Sequence, residues 1–274
     1  MLGATLKVLI HPGFHKTGTT TLQRTLFVNR HALADTITFL TPDHTRDLSM
    51  LARRISIVPG RGKFAKLARA YVALLDSRQD IRSRPLLLSN EHLCGHIPGR
   101  NGVRSYHQAP HILRALVQAS MDYFDPDTEH YVYFTTRDAK AWCKSTFWQN
   151  IRYNRITTSL EDYEARELRD CDLGETVRQV REALPPEVQV ISADVGEAAH
   201  PLGALEHMLR LLDVNTDGLK AVRAQNTQPP GGIEEILRLN RSDLTDEALA
   251  VEKGIYLESL KDRRPSRRRA VSSS

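Results

Sequence analysis

Apolar residues fall along this chain in two rhythms. Short unbroken runs recur at 5–10, Ile37–Leu40, Pro85–Asn90, His130–Thr136 and Val188–Ser192. Runs of that length bounded by turn residues are expected of strands covered on both faces. Between them, apolar residues return every three or four positions, which predicts helices over 19–30, Lys63–Asp76, Ala109–Phe124, roughly 141–153 and Glu175–Leu184. Leu22, Leu26 and Leu33 mark one face of the first; Phe64, Leu67, Ala68, Tyr71, Leu74 and Leu75 mark that of the second. From Pro201 to Asp262 the pattern is helical, broken between Gln228 and Gly232. Two stretches are less regular: 94–107, with Gly95, Pro98, Gly99, Asn101 and Gly102, and the acidic-basic segment that runs to about 172.

Strands alternating with helices predict an α/β fold: an open, mostly parallel sheet of about five strands with helices on both faces and a helical C-terminal part. A single domain is expected over 1–262. In such sheets the ligand sits outside the carboxyl ends of the strands. That rule nominates 11–20, 89–93 and 136–145.

Composition narrows the picture only a little. The formal charge is +5, and Arg263, Arg264, Arg267, Arg268 and Arg269 carry that excess at the end of the chain. The rest is close to neutral, so no nucleic-acid role is expected of the folded body, and the basic tail reads as a disordered end. Cys94, Cys143 and Cys171 are odd in number and lack metal-ligand spacing, so neither a disulfide framework nor a zinc site is implied. The first apolar run is too short for a signal segment or a membrane span. A cytoplasmic protein without a transmembrane segment is expected.

Chemistry enters at the first strand. An apolar run ends at Pro12-Gly13, a short loop carries His15, Lys16 and Gly18, and a helix begins at Thr19. Strand, glycine-bearing loop and helix in that order make a phosphate cradle, because loop N–H groups and the positive end of the helix dipole converge on an anion. The Gly13-to-Gly18 spacing matches the first half of a Walker loop. A Walker loop then needs lysine after the second glycine, where this chain has Thr19; its lysine, Lys16, precedes the glycine.

The run from His15 to Thr20 resembles the 5′-phosphosulfate loop of sulfotransferases that use 3′-phosphoadenosine-5′-phosphosulfate (PAPS), which reads Lys-Ser/Thr-Gly-Thr-Thr. Arg137 at a strand end, with Ser145 eight positions on, is similar in spacing to the family's 3′-phosphate site. A guanidinium fork and a helix-borne hydroxyl suit phosphate oxygens. The strand ending in Ser89-Asn90-Glu91-His92 resembles the base-bearing strand of bacterial and Golgi-type members. The resemblance covers about 5–150. Asn226-Thr227 and Leu237–Arg241 resemble the end of bacterial members weakly, and the C-terminal Arg-Lys-Gly stretch of the cytosolic type has no match.

The resemblance implies sulfuryl transfer from PAPS, leaving PAP, to a hydroxyl or amine on a small-molecule or glycan acceptor, with no metal expected. His15, Lys16, Thr17, Gly18, Thr19, Thr20, Thr21, Arg137 and Ser145 would bind the donor. Lys16 would also meet charge on the leaving group, and Glu91 would be the base, with His92 and His15 as alternatives. Lys220, Arg223 and Arg241 are candidates to complete the 3′-phosphate site. His96, Arg100, Arg104, His107 and His111 form a basic stretch that either clamps an anionic or sugar acceptor or is a solvated loop. Two other readings stand beside this one: a P-loop kinase or NTPase, and a non-catalytic PAP-binding module.

Overall fold

The computed structural model describes residues 5–196, 200–222 and 228–262. Five strands form one all-parallel sheet: β1 (Lys7–His11), β2 (Thr38–Leu40), β3 (Leu86–Ser89), β4 (Glu129–Thr136) and β5 (Gln189–Asp194), in the order β2-β3-β1-β4-β5. After β1 the chain crosses outward to β2 and returns through β3; it then passes to the far side of β1 for β4 and β5. The order therefore reverses at β1, and the loops leaving β1, β3 and β4 diverge around its carboxyl end. That crevice is where open parallel sheets bind ligands.

Side chains alternate across the sheet and meet different helices on its two faces. Val8, Ile10, Leu86, Leu88, Val132 and Phe134 face the larger core, built with α2 (Arg46–Ile57), α3 (Arg61–Asp76), α4 (Ala109–Tyr123), α5 (Ala139–Tyr153) and α7 (Leu173–Ala183). Leu9, Leu87, Tyr131 and Tyr133 face the smaller core, built with α1 (Thr19–Val28) and α8 (Ala204–Leu211). Behind α5 stand α9 (Gly232–Asn240) and α10 (Asp246–Asp262). Both faces are thus apolar and covered, which is why the strands read as unbroken runs. No described helix is long and apolar enough to cross a membrane.

Two regions, 46–57 and 94–107, differ from the sequence expectation. The apolar pattern predicts no element over 46–57, yet this span is α2, whose Leu48, Leu51, Ala52 and Ile55 are all buried. The segment before 172 is irregular, as the pattern predicts: a single helical turn, α6 (Leu160–Tyr163), runs into a wider turn at Glu164–Leu168. The stretch 94–107 is packed rather than solvated. Cys94, His96, Ile97, Val103 and Tyr106 are buried, and Arg100 donates to Asn150 Oδ1 (2.5 Å) and the Gln149 carbonyl (2.9 Å) of α5. Gly99, at φ +81°, lies so close to Tyr163 that a Cβ would sit 1.7 Å from its hydroxyl. The expected break between Gln228 and Gly232 precedes α9, and a second one, which the pattern does not predict, separates α9 from α10. Leu237 to Asn240 belong to α9. Arg223, Asn226-Thr227 and the basic tail 263–274 lie outside the described residues.

Candidate functional site

The loop after β1 is held from below. Phe14 is fully buried, its ring 5.0 Å from Phe134 and 4.9 Å from Tyr106. Under it a chain of polar contacts joins three strands. His11 Nδ1 lies 2.9 Å from Ser89 Oγ, and His11 Nε2 lies 3.3 Å from Thr135 Oγ1. Thr135 Oγ1 in turn is 2.8 Å from Thr17 Oγ1, which donates to the Phe14 carbonyl at 2.7 Å. Every proton finds an acceptor if His11 is neutral, and burial pushes its pKa down to about 3. The Thr17 hydroxyl therefore belongs to the floor of the loop, where the whole residue is buried.

From the side, the loop is held by the start of α5. Trp142 Nε1 donates to the His15 carbonyl at 2.9 Å, and Arg137 donates to the Lys16 carbonyl at 3.4 Å. Lys16 takes a left-handed φ of 69°, unusual for a residue with a side chain. Gly13 (φ 53°) and Gly18 (φ 88°) are left-handed too. Turns with such residues aim successive N–H groups into a concavity suited to anions. Gly18 begins α1, whose first turn has no side-chain cap and no acidic residue, so its N-terminal N–H groups are open to an anion.

A cavity of about 790 Å³ opens over this loop. His15, Lys16, Gly18, Thr19, Thr20, Thr21, Glu91, Arg137 and Ser145 all line it, while Thr17 and His92 do not. Burial, followed by the charges of Arg152, Arg137 and Arg100, lowers the Lys16 pKa to about 8. The Thr19 hydroxyl is buried with no hydrogen-bond partner. A Cβ on Gly13 would stand 2.8 Å from that hydroxyl, so the glycine leaves room for it at the base of the loop. Of the five buried hydroxyls without a partner among the described residues, only that of Thr19 belongs to a residue lining this cavity, and leaving such a group unpaired is costly. Together with the crowded cations it fits a site whose missing charge and acceptors come from an anion. The 5′-phosphosulfate and 3′-phosphate of PAPS are groups of that kind.

Glu91 enters from the end of β3, where Glu91–Cys94 form one 3₁₀ turn. Asn90 caps it by accepting from His92 N at 2.9 Å, and its amide donates to Thr45 Oγ1 and Ser49 Oγ, both at 2.7 Å. Gln23 of α1 donates to Glu91 Oε2 at 3.2 Å and to the Ser89 carbonyl at 3.1 Å. The carboxylate is thus steered from two elements. The neighbouring His92 faces away from this cavity, and its Nδ1 lies 3.2 Å from His15 Nε2. His15 Nδ1 lies 3.1 Å from the buried Tyr106 hydroxyl. Burial lowers the His15 pKa well below its ordinary value, with His92 adding to the shift, and burial lowers that of His92 as well.

On α5, Asp138 caps the helix by accepting from Ala141 N at 2.9 Å, while Arg137 and Ser145 face the cavity. Capping and ligand binding therefore coexist. Lys220 and Arg241 do not line the cavity; Arg241 donates instead to the Thr157 carbonyl at 2.8 Å. Lys144 and Gln149 of α5 and the turn from Gln228 to Gly231 do line it. Of the basic stretch, His96 lines a second cavity, and none of the other four residues lines either of these two. The sequence reading missed Gln23, Tyr106, Trp142 and Arg152. Trp142 stood within the Arg137–Ser145 stretch as a signal, whereas Gln23 and Tyr106 carry none.

Fold and site together define an open, all-parallel α/β protein with a cavity at its topological switch point that Lys16, Arg137 and Lys144 line together with Glu91 and Glu234. No protein-family model and no curated protein matches the chain in sequence comparisons.

Proposed function

We propose that the protein is a sulfotransferase, moving a sulfuryl group from PAPS to a hydroxyl or amine acceptor. The reading rests above all on one grouping. Lys16, the unpartnered Thr19 hydroxyl, Arg137 and Ser145 share a cavity with a carboxylate, Glu91, held at its edge by Gln23. PAPS, when bound, supplies a sulfuryl group already activated as a mixed anhydride.

The residues have separable tasks. Loop N–H groups and the Thr19 and Thr20 hydroxyls donate to anionic oxygens. Lys16 holds a positive charge where negative charge grows on a departing phosphate, an interaction stronger in the transition state than before it. Arg137 and Ser145 grip a distant phosphate, so that binding energy there fixes the reacting end in place. Glu91 accepts the acceptor's proton. His15, neutral through burial, is tied to Tyr106 and His92 and serves to hold the loop.

The kinase reading needs a lysine side chain directly after Gly18. Thr19 stands there, its short side chain buried against Gly13, and no ammonium is supplied from that position. Calorimetry tests the choice: PAP is expected to bind without Mg²⁺, and more tightly than ATP with Mg²⁺. The reverse ranking overturns the reading. Transfer of radiolabelled sulfate from PAPS to a panel of sugars, lipids, phenols and amines tests turnover.

A further inference from the structure

A second cavity, of about 530 Å³, lies along the outer side of α2. Arg46, Met50, Arg53, Arg54 and Ile57 line it at helical spacing, while Leu48, Leu51, Ala52 and Ile55 of the same helix are buried in the core. His92, His96 and Asn101 line it as well. Glu91 lines the first cavity and the next residue, His92, lines the second, so one 3₁₀ turn separates them.

Hydrogen bonding fixes which histidine nitrogens carry protons. His96 Nε2 lies 3.3 Å from an Arg53 guanidinium nitrogen and 2.9 Å from Asn101 Nδ2. A guanidinium only donates, so Nε2 accepts and the proton sits on Nδ1, 3.2 Å from the Ile97 carbonyl. For His92 the order comes from Tyr106. Its hydroxyl oxygen accepts from the His15 backbone N–H at 3.2 Å, and its proton goes to His15 Nδ1. His15 then donates from Nε2 to His92 Nδ1, which leaves the His92 proton on Nε2, the edge turned from His15.

The polar lining of this cavity is consequently rich in donors: three guanidinium groups and the His92 Nε2–H. The one carboxylate among its described lining residues is Asp43, 3.9 Å from Arg46. Exposed Met50 and Ile57 add apolar surface beside the arginines. A donor-rich, cationic wall complements a ligand group that only accepts.

We propose that this cavity receives an anionic substituent of the acceptor, a carboxylate or a sulfate ester, while the acceptor's hydroxyl or amine lies at Glu91. The assignment to an acceptor rests on the sulfuryl-transfer reading. In the same arrangement His92 is a donor that orients the acceptor, which leaves proton removal to Glu91.

Nuclear magnetic resonance of the histidine rings tests this on the whole chain, with and without saturating PAP. The probes are methyl β-D-glucuronide, glucose 6-sulfate and neutral methyl β-D-glucoside. One or both anions should shift the His92 and His96 signals, binding about tenfold more tightly than the neutral sugar. Which anion is preferred identifies the source of the charge. Arg46→Ala and Arg54→Ala, both at exposed positions, should remove that preference. Equal binding of the neutral sugar, an anion preference that survives both substitutions, or no shift with either anion would overturn the proposal. PAP calorimetry on the same samples separates the two readings. PAP binding with indifference to anions sinks only this inference, whereas anion binding without PAP binding sinks the sulfotransferase reading and the acceptor assignment with it.

Discussion

Arg137, at the end of β4, donates to the backbone carbonyl of Lys16 across a separation of 121 positions in sequence. One contact thus brings two cations to the same cavity and fixes the loop between β1 and α1 against the start of α5. Like charges held together without an anion oppose folding, and an anion that enters relieves the conflict. Strain of this kind is tolerated where the surrounding packing outweighs it.

The charge of Lys16 should therefore act in opposite directions on stability and on binding. Its pKa in the fold is about 8, below the ordinary 10.5. Between those values the unfolded chain holds the proton and the folded chain does not, so stability should rise with pH across that window. Lys16→Met should be more stable than wild type at neutral pH and should lose this slope. Its affinity for PAP should fall about tenfold to a hundredfold. Denaturant titrations at neutral pH and across the window from about pH 8 to pH 10.5, with calorimetry, check both.

Thr19→Ala should divide in the same manner. The hydroxyl is buried and unpartnered, so its removal should leave stability unchanged or raise it by about 1 kcal/mol. PAP affinity should fall at the same time. A loss of stability of several kcal/mol would show that the hydroxyl serves the fold rather than a ligand.

Glu91→Gln keeps the shape of the side chain and removes its basicity. Transfer to an active acceptor should fall about a hundredfold or more, with PAP affinity unchanged. Transfer at the wild-type rate would rule out Glu91 as the base.

Acid should loosen the floor of the loop. Burial holds the His11 pKa at about 3, against an ordinary 6.5. As pH falls through that interval the unfolded chain takes up a proton that the folded chain refuses, so stability declines. His11→Gln, which retains a donor and an acceptor, should flatten the pH dependence by about one proton between pH 6.5 and pH 3. Denaturant midpoints measured across that interval report the slope.

Much of this arrangement was legible before any coordinates. The unbroken apolar runs announced a sheet covered on both faces, and turn residues at their ends marked the edges of the crevice. Lys16, Thr19 and Arg137 stood at strand or helix ends, and with Ser145 on α5 they have types suited to anions, while Glu91 at the end of β3 has that of a base. Helix α2 was legible too, since Leu48, Leu51, Ala52 and Ile55 recur at helical spacing, but arginines and a methionine between them blurred the pattern. The stretch 94–107 misled for a different reason. Its glycines and polar residues resemble a solvated loop, while its packing depends on partners such as Tyr163 and Asn150 far along the chain.

The sequence by itself determined the local alphabet: which runs become strands, where a glycine-bearing loop joins strand to helix, and which residues have anion-binding chemistry. Periodicity and residue type are local, so one chain read from end to end carries them. Tertiary structure alone decided which partner each polar atom meets. The strand order sets β3 and β4 on either side of β1, which delivers Glu91 and Arg137 to Lys16 and puts the Tyr106 hydroxyl on His15. Those pairings span tens to more than a hundred residues. They settle what composition cannot: Lys16 half-discharged at about pH 8, the Thr17 hydroxyl committed to the floor, and the Thr19 hydroxyl left without a partner.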